Sequence, residues 1–235
     1  MAITTKSELL DTAKTWLVRP GDTIIDPFLP DWLMLTEQRF NRERIIRAME
    51  TVGDFTLSAA SATPGRIPLP TDFLQCRNIR LILTTPVALE QVSAEMFTRS
   101  LADDVATGQP TLYAVIGQEL NFWKKVDQDY NGEIVYWAKI PALTDAAPTN
   151  WLLANAPDVY LFGVLVEASA HLEDPDQLVK WETRYQAAIK SLIESDSRGN
   201  ESASPDKARY GSRGGYGGAP TYGGIATPAI PAKVA

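Results

Sequence analysis

Residues 157–172 read PDVYLFGVLVEASAHL, and this stretch decides the architecture. Its apolar residues do not keep to one stripe but run round the whole circumference of a helix, so the segment belongs in the middle of a helical bundle. Glu167 interrupts the apolar run, which falls well short of the roughly 20 residues that a membrane span needs. A helix that is apolar all round needs neighbours on every side, and the rest of the chain has to supply them.

Downstream, Asp174-Pro175-Asp176 breaks the helix, and Leu178, Trp181, Tyr185, Ile189 and Leu192 then mark one face of a last helix that runs to about Ser195. Upstream, Leu9, Leu10, Ala13, Trp16 and Leu17 form a stripe over Ser7 to Val18, opened by a Ser cap and ended by Arg19-Pro20-Gly21-Asp22. A longer helix is expected from Leu29-Pro30-Asp31 through Leu33, Thr36, Phe40, Ile45 and Met49, stopping near Val52-Gly53.

Between Asp54 and Lys139 the period changes. Short β-branched and aromatic runs alternate with Pro, Gly and Asp, which is the pattern of an antiparallel β domain. Expected strands are Phe55 to Ala59, Gly65 to Leu69, Ile79 to Leu83, Pro86 to Glu90, Leu112 to Ile116, Glu119 to Trp123 and Gly132 to Lys139. Ile116-Gly117 and Tyr130-Asn131-Gly132 are the expected hairpin turns, and Ser93 starts a short helix to Leu101. The fold class is therefore α+β: a helical bundle from N- and C-terminal helices (1–53 and 148–196), an inserted antiparallel β domain (54–147) and an extended C-terminal arm (197–235).

The arm is rich in Gly, Ser, Pro and Ala and cannot bury enough apolar surface to offset its ordering entropy. Fully stretched, it reaches on the order of 130 Å. Ala208 to Gly224, ARYGSRGGYGGAPTYGG, reads either as a flexible tether or as an RGG-like arm of a nucleic-acid-binding module. Ile225 to Pro231 is apolar and extended by its prolines, suited to a strand edge or a groove.

The chain has 235 residues, 45% of them apolar, and a formal charge of −7. Five of its 22 basic and two of its 29 acidic residues lie from Ser197 onward, which leaves the body at −10 and the arm at +3. An acidic body repels nucleic acid over its general surface, although DNA could still slide past it. Cys76 is the only cysteine and reads as a buried, inert thiol. His171 is the only histidine; with Glu167 one turn before it, it could begin a metal site, but no second His or Cys completes one, so it reads as a helix-end histidine. There is no phosphate loop, dinucleotide fingerprint or nucleophile elbow, so no enzyme, metal or cofactor is expected. Asn200-Glu201-Ser202 fits the glycosylation pattern by chance, since the N-terminus has polar residues where a signal peptide has an apolar run. A small-molecule-binding β domain is a third reading. The six tryptophans read mainly as core packing; Trp32, beside a helix start, and Trp151, in a Pro-flanked segment, are candidates for a subunit or tail interface.

Three stretches carry a resemblance: RIPLPTDFLQCRNIRL at Arg66 to Leu81, PTLYAVIGQELNF at Pro110 to Phe122, and NWLLANAPDVYLFGVLVEA at Asn150 to Ala168. Leu69-Pro70-Thr71-Asp72-Phe73, Pro110, Tyr113-Ala114, Gly117, Val135-Tyr136-Trp137, Asn150 to Leu153, Pro157-Asp158 and Tyr160-Leu161 occur in the order of a family signature. The body resembles the head-to-tail adaptors (connector, or tail tubular protein A-like) of short-tailed bacteriophages. The resemblance implies a virion protein made in the host cytoplasm and placed at the head–tail interface. It implies a homo-oligomeric ring, a dodecamer, that joins the portal protein to a tail nozzle or hub protein, with tail fibres as further neighbours and genomic DNA passing unbound through its centre. It also implies an arm that docks on the portal. No motif is matched in the arm, so Arg209, Tyr210, Arg213, Tyr216, Tyr222, Ile225 and Ile230 are its expected docking residues by position and chemistry alone.

Overall fold

Thr5, not Ser7, starts the first helix. In the computed structural model, which describes residues 3–19, 21–43, 46–60, 65–101 and 107–201 (side chains of 100–101 and 198–201 excepted), α1 spans Lys6–Trp16. The Thr5 hydroxyl accepts the Glu8 N–H at 3.3 Å while the Glu8 carboxylate accepts the Thr5 N–H at 3.2 Å, a reciprocal capping box that Ser7 is too far along to make. A 3₁₀ turn at Asp26–Phe28 leads into α2, Leu29–Glu43.

Helix α2 ends earlier than its hydrophobic pattern implies. Ile46 is already extended, Arg47–Met49 make one 3₁₀ turn, and Glu50–Leu57 form strand β1. All eight residues of β1 pair with one neighbour, so the ladder there replaces the last expected turns of helix.

The remaining strands are β2 (Arg66–Pro68), β3 (Phe73–Leu81), β4 (Val87–Gln91), β5 (Leu112–Ile116), β6 (Glu119–Phe122) and β7 (Tyr130–Ala138). They form one seven-stranded sheet in the order β1-β7-β3-β4-β5-β6-β2. The sheet is mixed and not wholly antiparallel, because β4 and β5 run parallel. The connection between them holds the short helix α3 (Ala94–Met96), capped by the Ser93 hydroxyl at 3.1 Å from the Met96 N–H, and a π turn at Phe97–Leu101. Strands β5 and β6 form the expected hairpin, with Gly117 at φ +63° in its turn.

Tyr130-Asn131-Gly132 is not a turn. These residues open β7, where Gly132 lies between Phe55 of β1 and Leu81 of β3. A Cβ on Gly132 would sit 2.3 Å from the Phe55 ring, so the glycine is a socket for that ring. Phe55 in turn meets Phe122 of β6 at 5.5 Å, which draws together two strands far apart in the sheet order.

The C-terminal helices are α4 (Trp151–Asn155), α5 (Pro157–His171) and α6 (Pro175–Glu201), the last running past the expected stop near Ser195. The structure is thus α+β, with six helices and a seven-stranded sheet among the described residues. Within the compact unit Met1–Asp196 there are two hydrophobic cores. One is built by the helices around α5; the other is built by the sheet, around Leu57, Ile79, Leu81, Tyr113, Leu120 and Ile134. Leu74 of β3 and Trp137 of β7 reach from the sheet to the helical core.

Helix α5 packs against α1 and α2. The α2 contact is close because Gly163 faces Thr36, where a Cβ would lie 2.3 Å from the threonine methyl. One residue on, the buried Glu37 carboxylate accepts the Tyr160 O–H at 3.1 Å and the Leu143 N–H at 2.9 Å, and Asn41 accepts the Ile140 N–H at 3.0 Å. Glu37 and Asn41, one turn apart on α2, therefore hold the strap that carries the chain from β7 back to the helices. Asn150 completes the node by donating to Tyr160 Oη at 2.7 Å while capping α4 at the Leu153 N–H. Arg39 binds Glu182 of α6 through both terminal nitrogens, at 2.9 and 2.6 Å, and lies over the Tyr185 ring.

Gly163→Ala should lower stability by about 1–3 kcal/mol in thermal or urea unfolding, from overpacking against Thr36. In a Thr36→Ser background, where the obstructing methyl is gone, the same change should cost little or stabilise through its better helix propensity. Burial raises the Glu37 carboxyl above its ordinary 4.5, opposed by the Leu143 N–H, the Tyr160 hydroxyl and the charge of Lys6. Such a group holds its proton more tightly when folded, so its contribution to stability is complete below the ordinary value and is lost as pH rises through the raised one. The stability of wild type relative to Glu37→Gln should therefore increase as pH falls from 7 toward 4.5.

Candidate functional site at one end of the helices

Two helices stop at the same end of the helical core, and both stop in the same way. At the end of α1 the N–H of Val18 donates to Thr15 (3.1 Å) and that of Arg19 to Lys14 (3.0 Å). At the end of α5 the N–H of Glu173 donates to Ala170 (3.3 Å) and that of Asp174 to Ser169 (3.0 Å). Each is the paired hydrogen-bond pattern of a Schellman motif, whose left-handed position is normally glycine. Here Val18 (φ +58°) and Glu173 (φ +55°) occupy it. A β-branched residue in that region costs about 1–3 kcal/mol, and nothing at the helix terminus itself requires it. The motif also usually closes with an apolar contact from the residue that follows; Arg19 and Asp174 stand there and leave the end open.

The strained valine points outward, at 84% exposure. Trp16 (40%) lies beside it on the wall of one depression, Ile24 (76%) and Phe28 (38%) follow in the α1–α2 connection, and Val179 (65%) lies near the start of α6. Trp16 packs on Trp181 at 5.6 Å and on Phe162 at 6.0 Å, and Phe162 stacks on Trp181. Lys180 lies 4.3 Å over the Trp181 ring, with Arg184 beside it at 5.2 Å. Next to this aromatic group is a depression of about 260 Å³ bounded by Val18, Arg19, Leu172, Asp174 and Trp181. A second, of about 360 Å³, adjoins it across Ser169 and Asp174 and is bounded by Glu173, Pro175 and Leu178.

This end of the helices suits contact with another chain better than the chemistry of an active site. It presents apolar area, aromatic rings with cations over them and two adjoining depressions. Among the described residues no cluster of three or more His, Cys, Asp or Glu stands in position to hold a metal ion. His171, instead of facing a metal, packs its ring between Phe28 (4.6 Å) and Trp32 (5.6 Å). Glu167 is half-buried, and burial raises its carboxyl, countered by the charges of Arg39 and Arg42. Cys76 is buried against the Tyr113 hydroxyl at 3.2 Å, and burial pushes its thiol up, away from the reactive thiolate.

The sequence matches the family described as SU10 adaptor protein over residues 4–209, a span that includes both cores and every helix and strand above. The chain belongs to that family. A search among curated proteins finds no match. The family is one of phage head–tail adaptors, so the adaptor has a structural role in the virion and contacts head and tail components.

The residues singled out from sequence fall unevenly on the adaptor. Trp32 is 3% exposed and belongs to the helical core, which leaves its ring no free surface for a neighbouring subunit. Trp151 is partly buried and edge-on to Phe40 at 6.3 Å. Arg209, Tyr210, Arg213, Tyr216, Tyr222, Ile225 and Ile230 lie outside the described residues. The helix end where Trp16 and Val18 meet Leu172, Asp174 and Trp181 was not visible in the sequence, because its members come from separate segments. The only signal was the polar pair Arg19 and Asp174 at positions where a helix end usually carries an apolar plug.

Replacing Val18 by glycine tests the strain directly. Val18→Gly should leave the fold intact and raise stability by up to about 1 kcal/mol in urea unfolding, because glycine adopts a positive φ freely and the valine side chain packs on almost nothing.

Proposed function

We propose that the adaptor acts as one subunit of a ring, a dodecamer, placed between the portal at the capsid vertex and the tail nozzle, with genomic DNA passing through its centre. The helices of residues 1–53 and 148–196 form the bundle that packs side by side around the ring. The β domain of residues 54–147 is an insertion between them and faces outward or toward the tail. The arm, 197–235, docks on the portal through its tyrosines, arginines and isoleucines. Trp151 contributes to a subunit contact.

One observation carries this reading: a single family match runs without a break through the helices, the sheet and the helices again. The whole body then evolved as one joining piece, and the two cores are parts of it and not separate activities. The charge distribution supports the same reading. A body at −10 lets a polyanion slide past without sticking, and an arm at +3 carries the opposite charge.

Mixing the full-length adaptor with its portal and imaging the product by electron microscopy tests the proposal. The expected result is a ring on the tail-facing side of the portal, with density for the arm along the portal surface. An adaptor that ignores the portal at micromolar concentration, under conditions where heads accept tails, would overturn it. A monomer in the absence of portal is compatible with the proposal, since a partner that binds only the assembled form drives assembly by mass action.

A further inference from the structure

We propose that the outer edge of β1 takes an added strand from the tail protein, an extended segment that sets a Lys or Arg against Asp54 and, two residues along, an apolar side chain against Val52. Only the choice of the tail as its source rests on the adaptor reading, in which the arm serves the portal and leaves the sheet to the other partner. The sheet has two edges, and they are finished differently. On β2, the Gly65 carbonyl accepts from Phe122 and the Leu69 N–H donates to Gln118, so Arg66 and Pro68 turn their backbone groups outward. Pro68 has no N–H to give, and β2 is only three residues long, so that edge is blunted. Strand β1 is eight residues long, keeps an unbroken ladder with β7 and contains neither Pro nor Lys. Asn131 of β7 accepts the Ile82 N–H on the β3 side, so Gly132, Ile134 and Tyr136 turn toward β1 and pair with Phe55, Gly53 and Thr51. The alternate residues Val52, Asp54 and Thr56 therefore point N–H and C=O away from β7, and no backbone hydrogen bond reaches them among the described residues. Strand β2 approaches β1 but does not pair with it, and Val52 is 59% exposed.

The side chains choose the occupant. Glu50 is answered by Arg77, and Glu133 by Arg80. Asp54 stands directly opposite Glu133 on β7 and has no ion pair among the described residues. A like charge in that position is unfavourable, and a cation on the open side of β1 relieves it. Val52 stands opposite Val135, so an apolar residue on the open side lengthens that row. Neither edge of a second copy meets both needs. Another β1 brings Glu50 and Asp54 and no cation, and another β2 brings Arg66 but is cut short by Pro68.

The test uses the full chain and three short fluorescent peptides. In the first, Thr alternates with Lys and Val; the second has Glu in place of Lys; the third keeps the side chains of the first on methylated backbone nitrogens. The Lys peptide should bind several-fold more tightly than the Glu peptide, and the methylated one should not bind. Amide exchange at Val52, Asp54 and Thr56 should slow about ten-fold or more on binding, while Thr51, Gly53 and Phe55, already bonded to β7, change little. Asp54→Lys removes the like-charge contact with Glu133, so it should keep the fold and reverse the preference to the Glu peptide. Equal binding of the three peptides, or unaltered exchange at Val52 and Asp54, would overturn the proposal. So would self-association of the wild type that Asp54→Lys abolishes, since it would assign the edge to a second copy. Heads carrying the adaptor are then mixed with purified tails, and Asp54→Lys should capture several-fold fewer of them. If it binds heads and captures tails as well as the wild type, the docking proposal fails while the adaptor role stands. If the wild type itself does not join heads to tails, the adaptor role fails and with it the tail as the source, and the peptide result alone decides the edge.

Discussion

The methyl group of Thr36 occupies the space that Gly163 leaves free, and the rest of the structure is arranged around that approach. It brings the backbone of α5 against α2 along the most apolar helix of the chain. From there, Glu37 comes within reach of Tyr160, and the pair meets Asn150 at the start of α4. A buried carboxyl group is costly unless it is hydrogen-bonded. Here the satisfying groups are a tyrosine hydroxyl and a backbone N–H of the strap from the sheet, so the polar node fixes how the helices and sheet are joined. A larger residue at 163 would push α2 outward and strain that node with it.

The sheet solves its own packing in a similar way. Gly132 gives up its side chain so that the Phe55 ring can lie flat on β7 and reach Phe122 on the far side of the sheet order. Both cores thus depend on a glycine that receives a neighbour's side chain. The two are joined by Leu74 and Trp137 and by the strap pinned to Glu37 and Asn41, which suits a structural protein.

At the helix end the opposite policy holds. Elsewhere the structure is closed with a capping box, paired charges and filled sockets, whereas this end keeps a valine in a glycine conformation and sets it, with Trp16, beside an open depression. Such an arrangement costs stability in the isolated chain. It is consistent with a structural protein of the virion, whose surfaces are completed by other components of the particle.

Much of the architecture was legible in the amino-acid sequence because it depends on neighbours a few residues apart. The all-round apolarity of residues 157–172 marked α5 as a buried helix, Asp174-Pro175-Asp176 marked its end, Ser93 marked α3, and Leu112 to Ile116 with Gly117 marked the first strand and turn of a hairpin. What only the tertiary structure decided rests on contacts across long separations. Thr51 and Val52 fit a helix or a strand by themselves, and pairing with β7 settled the matter. Gly132 looks like a turn until Phe55 lies on it, the parallel pairing of β4 and β5 has no local signature, and Trp32 became core when His171 and Phe28 closed over it. The outward valine was the least visible of all. A helix pattern says where apolar residues face along a regular backbone, and Val18 sits one residue beyond the point where the backbone leaves that regularity.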